Sequence, residues 1–209
     1  MSSTNESEHS TSVETEAPSA IINIRHIRIA YSTADDLTRK VANFRSDVSI
    51  PAHNELRYAG FHLLKSLDDN GCISNHDEAV KARNHCQRAM YEAADAGILS
   101  ALDMIAIFRN DYKNIVIADV VPDIVNIYGR ARNAQKLIET GRKHSHQEAI
   151  VPDEFISCFL GLTKDCETLE DSREELNKII RTDRIAGKRW LIGICVGIFA
   201  ILISVAIAL

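Results

Sequence analysis

Residues 190–209 read WLIGICVGIFAILISVAIAL. The stretch has no charged residue, no Pro, no Asn and no Gln, and twelve of its residues are Leu, Ile, Val or Phe. A helix of that length rises ~30 Å, the thickness of a bilayer's hydrocarbon core. Its apolar side chains favour insertion by roughly 4–7 kcal/mol, and its backbone groups are satisfied internally, as lipid demands. The stretch therefore predicts a single C-terminal transmembrane helix. Lys178, Arg181, Arg184, Lys188 and Arg189 precede it, opposed locally by Asp183. Basic residues beside a span stay on the cytoplasmic side. The expected location is the cell inner membrane, single-pass, with the preceding domain in the cytoplasm.

Within the stretch, Gly193, Gly197, Ala200, Ser204 and Ala208 recur at spacings of four, three, four and four. Small residues in such a stripe let helices approach closely in lipid, so this face predicts homo-oligomeric association, with Ile194, Ile198, Ile201 and Val205 turned to lipid.

The chain has 209 residues, with 24 Lys and Arg against 29 Asp and Glu, for a net charge of −5. That balance argues against a dedicated, sequence-specific nucleic-acid binder, which normally carries a basic domain. Cysteines at 72, 86, 158, 166 and 195 are odd in number and read as reduced thiols rather than a disulfide framework. Residues 1–19, rich in Ser, Thr and Glu, read as a disordered acidic tail.

A mainly α-helical domain is expected over 20–150, followed by a helical stalk over 151–189 and the span over 190–209. Residues 20–31, AIINIRHIRIAY, are β-branched and read as a short strand or extended segment. From Thr33 the periodicity is helical: Leu37, Val41 and Phe44; Pro51 opening a second helix with Leu56, Gly60, Leu63, Leu64 and Leu67; and Asn75 as N-cap of a third, with Val80, Arg83, Cys86 and Met90 on its face. Gly97 is expected to break that helix before Leu99, Leu102, Ile105 and Ala106. Ile115–Val121 is locally strand-like; beyond it Ile124, Ile127, Ala131, Ala134 and Ile138 mark a further helix. Phe155, Phe159, Leu162, Leu169, Leu176 and Ile180 approach a seven-residue spacing that suits a coiled-coil stalk.

Arg57-Tyr-Ala-Gly-Phe-His62 is an R-x4-H. It resembles the motif of HEPN-type ribonucleases, helical domains that place Arg and His on RNA phosphates across a dimer. Tyr58 departs from the polar residue usual after the Arg, and on one helix Arg57 and His62 point ~140° apart. Cys72-x3-His76 and His85-Cys86 are zinc-type ligand types without the spacing of a clip. His144, His146, Glu148 and Asp153 read as a solvated turn. No catalytic, metal or cofactor residue is assigned, and no cofactor is expected.

In layout, the helical domain, the stalk Phe155–Arg184 and the anchor Trp190–Leu209 resemble the small transmembrane effectors of bacterial anti-phage systems, including those beside retrons. The resemblance implies a cytoplasmic domain held or triggered by a regulator, such as a reverse transcriptase with its msDNA, and anchors that assemble to disrupt the bilayer. The alternatives are a tail-anchored adaptor or tether, and a membrane-anchored HEPN-like ribonuclease.

Overall fold

The computed structural model describes the backbone of residues 23–144 and 152–208, and side chains for 23–141, 153–182, Trp190, Ile192, Ile194 and Gly197. Among the described residues the chain forms five α-helices and no strand: α1 Ile24–Arg45, α2 Ile50–Ser66, α3 His76–Asp111, α4 Ile124–His144 and α5 Pro152–Ala208. A single 3-10 turn lies at Ile117–Asp119, before α4.

The helix starts follow local chemistry. The Asn23 side chain accepts from the His26 backbone N–H and caps α1. Pro51 sits in the first turn of α2, where its missing N–H costs nothing. Asn75 caps α3 by accepting from the Glu78 N–H, with Asp77 and Glu78 beside the positive end of the helix dipole. Between α2 and α3, Gly71 takes a φ of +76°, and the Asp68 carboxylate accepts from the Asn70 and Cys72 N–H groups.

The spine is α3, 36 residues and about 54 Å long. Its first half presents Ala79, Ala82, Cys86, Ala89 and Ala93, all fully buried, to α1 and α2. Ile27 packs with Ala79 and Ala82, and Ala34, Leu56 and Ala59 pack with Cys86 and Ala89. Its second half turns Ala94, Ile98, Ala101, Ile105 and Phe108 toward Phe155, Phe159, Leu162, Cys166, Leu169 and Leu176 of α5. Two ionic fasteners complete the assembly. Arg130 of α4 grips the largely buried Asp165 of α5 with two hydrogen bonds, at 2.7 and 2.8 Å. Arg173 of α5 pairs with Asp111 at 2.9 Å and lies over the Phe108 and Tyr112 rings.

Several expectations are corrected. Among the described residues no helix is long and apolar enough to cross a membrane, so the single C-terminal transmembrane helix and the single-pass inner-membrane location are not supported. The placed side chains of α5 through Thr182 explain why for that part of the helix: its inner face is given to α3, and its outer face carries Lys164, Glu167, Glu170, Asp171, Glu174 and Lys178. Of the expected association face only Gly197 has a described position, and open space surrounds it; Gly193, Ala200, Ser204 and Ala208 lie outside the described side chains. Among the orienting cations, Lys178 pairs with Glu174 and Glu175 and Arg181 is exposed. Arg184, Lys188 and Arg189 lie outside the described side chains, as does the tail 1–19.

The stalk seam is not free-standing. Phe155, Phe159, Leu162, Leu169 and Leu176 are each no more than 3% exposed, within the same core as α3. Residues 24–31 are the first turns of α1, not a strand, because an N-cap at Asn23 starts the helix and Ile27 finds an alanine surface. Gly97 does not break α3. A methyl built there lies 2.6 Å from two Phe159 ring carbons, so glycine is what lets the ring sit on the helix backbone.

Phe159 is itself held edge-on by Phe44, with centroids 5.6 Å apart, and cannot yield. Gly97→Ala is expected to lose about 1–2 kcal/mol of stability, as overpacking outweighs the helix-propensity gain. Gly60→Ala, where a methyl meets nothing within 4 Å, is expected to gain about 0.5–1 kcal/mol. Urea midpoints of the two variants moving in the same direction would refute this account.

Candidate functional site

Two stripes face each other across α2 and α3. Glu55, Tyr58 and His62 share one side of α2; Glu78, Lys81 and His85 share one side of α3. The spacings are identical, three then four residues, which keeps each trio on one helix face. The pairing is crossed. His62 Nδ1 lies 2.7 Å from a Glu78 carboxylate oxygen, and His85 Nδ1 lies 2.6 Å from a Glu55 carboxylate oxygen. Each helix thus contributes an E-x6-H, and the two run antiparallel so that each Glu meets the other helix's His. At the centre the imidazoles stack, with centroids 5.0 Å apart and planes 7° from parallel.

A cationic fringe surrounds this centre. Lys81 Nζ donates to Glu78 at 2.7 Å, and Lys65 Nζ lies 3.8 Å from the same carboxylate. Arg57 lies over the Tyr58 ring at 5.0 Å, and Tyr58 tilts against His85 at 5.5 Å. Arg57 thus rests on its neighbour Tyr58 while His62 turns to Glu78 of α3, so the two ends of the R-x4-H have separate partners. Glu78 is 7% exposed. The Lys81 ammonium, and then His62, hold its carboxyl down at about 2 from an ordinary 4.5, while burial acts in the opposite direction.

Chemically, a carboxylate on Nδ1 fixes the ring and leaves Nε2 to move a proton. Two such rings lie side by side between the helices, with side chains 19% and 17% exposed. Among the described residues no group of three His, Cys, Asp or Glu gathers to hold a metal. Cys72 is exposed and Cys86 buried, with burial pushing the Cys86 thiol up to about 11. His85 turns to Glu55 rather than joining Cys86. The side chains of His144, His146 and Glu148 lie outside the described residues. Sequence reasoning weighed His85 beside Cys86 and did not pair it with Glu55, or His62 with Glu78, although the repeated E-x6-H was there to be read.

No protein-family model, curated protein or solved structure matches the chain.

The carboxyl of Glu78 sits below its ordinary value in the fold, so its ionised form stabilises the protein fully above about pH 4.5, and that stabilisation is lost as pH falls toward about 2. Glu78→Gln is expected to lower the urea midpoint near neutral pH, and the gap to the native protein is expected to close through the acid range. A gap that stays constant down to pH 3 would show that the carboxylate's charge plays no part.

Proposed function

We propose that the α2–α3 site cleaves RNA by metal-free general acid–base catalysis, the chemistry implied by the resemblance to HEPN-type ribonucleases. The observation that supports it is the stacked His62–His85 pair with a carboxylate on each Nδ1. In the reaction one histidine takes the proton of a ribose 2′-hydroxyl as its oxygen attacks the adjacent phosphorus. The other gives a proton to the departing 5′-oxygen. The products are a 2′,3′-cyclic phosphate and a 5′-hydroxyl, and the two histidines end with exchanged protonation states. Arg57, Lys65 and Lys81 supply positive charge where the phosphorane gathers negative charge. The net charge of −5 belongs to the whole surface; the fringe of the site is cationic. An activity of this kind requires restraint in the cell, which fits the protein or ribonucleoprotein regulator expected of an effector.

The test uses a short single-stranded RNA with EDTA present, read for the cyclic phosphate. His62→Ala and His85→Ala are each expected to lower the rate by ~10²–10⁴-fold, and a 2′-deoxy substrate is expected to be inert. His53→Ala is the control, since the His53 ring lies against the Ser49 carbonyl of its own helix start, at 3.1 Å. RNA left intact by the native protein, or cut equally by folded His62 and His85 variants, overturns the proposal.

A further inference from the structure

Among the described residues a second apolar stripe of α3 is only partly covered. Leu99, Leu102 and Ala106 follow helical spacing on the side away from α5, and α4 stands off from them, leaving an open groove of about 800 Å³. Val125 and Tyr128 of α4 form the opposite wall. Leu99 is 38% exposed and Val125 71%, so the groove is open along its length. It runs beside α3 from Leu99 to Asn110, ~17 Å or about three helical turns.

Its rim is charged in one sense. Arg109 on α3, Lys113 just beyond its end and Arg132 on α4 line it, against one carboxylate, Asp103, in a chain whose net charge is −5. The Arg109 guanidinium rests over the Tyr128 ring at 5.5 Å. The Tyr128 hydroxyl is buried and has no hydrogen-bond partner among the described residues, and burial pushes the phenol up, so it is a donor at neutral pH. A buried donor without an acceptor is costly and rare.

We infer that this groove docks an amphipathic helix of a partner protein, with an apolar stripe flanked by carboxylates. The shape matches helix-in-groove recognition, where anchors at i, i+3, i+4 and i+7 fill an apolar channel. The cationic rim selects the sign of the flanks. A flanking carboxylate draws Arg109 off the Tyr128 ring and gives the phenol its missing acceptor. The site lies on the second half of α3 and is independent of the histidine pair between α2 and the first half.

The test is fluorescence anisotropy of the full chain with two labelled helical peptides of about 18 residues. Both carry one leucine stripe; one has Glu on its flanks, the other Lys. The acidic peptide is expected to bind at least tenfold more tightly, less so as salt rises. Arg109→Glu and Arg132→Glu are each expected to weaken it at least tenfold. Val125→Glu, at a site too exposed to threaten folding, is expected to do the same. Equal affinity for the two peptides, no saturable binding of the acidic one, or affinity unchanged in the folded variants overturns the inference. So does a concentration-dependent dimer abolished by Val125→Glu, which assigns the groove to a second copy of the chain.

Discussion

Ala79, Ala82, Cys86, Ala89 and Ala93 give one edge of α3 side chains no larger than a thiol, all without exposure. Helices packed on so shallow a ridge approach at the short end of the 8–10 Å range. Longer side chains there would push α1 and α2 outward and separate Ile27, Ala34, Leu56 and Ala59 from their neighbours. The histidine–carboxylate pairs also depend on that closeness, because bonds of 2.6 and 2.7 Å between α2 and α3 require the two backbones to be near. The shallow ridge thus positions the site as well as the core.

The crossed pairs also clip the two helices together, and their electrostatics are uneven. Glu78 receives Lys81, His62 and the more distant Lys65, whereas Glu55 is described with His85. The two dyads match in spacing but differ in surroundings.

Much of the helical plan was legible in the sequence. The Asn75 cap, the Pro51 start and the α4 face through Ile124, Ile127, Ala134 and Ile138 follow from local chemistry, and the structure contains them. Faces were harder to read where alanine, not leucine, lies inward. On α2 the leucine pattern pointed to Leu64, which is 74% exposed, while Ala52 and Ala59 are buried. On α3 it pointed to Leu99 and Leu102, which line the groove, while Ile98 and Ala101 face α5. Periodicity reports that an apolar face exists; which of two faces meets a neighbour depends on tertiary packing. The membrane reading is not supported, since among the described residues no helix is long and apolar enough to cross a bilayer. The candidate site was hidden because its residues are 16 and 30 positions apart, beyond the reach of a local motif.

The Phe159 ring seated on the bare backbone at Gly97 fixes more than a contact. Sliding α5 along α3 by one turn would bring that ring over Ala93 or Ala101, where a methyl group occupies the space the ring now fills. Neither neighbouring position offers a vacant notch, so the two helices mesh like a key with one cut. The Arg130–Asp165 and Arg173–Asp111 fasteners meet in that alignment, and a shifted one would leave a covered aspartate facing no cation. A single glycine thereby sets the axial phase of half the molecule.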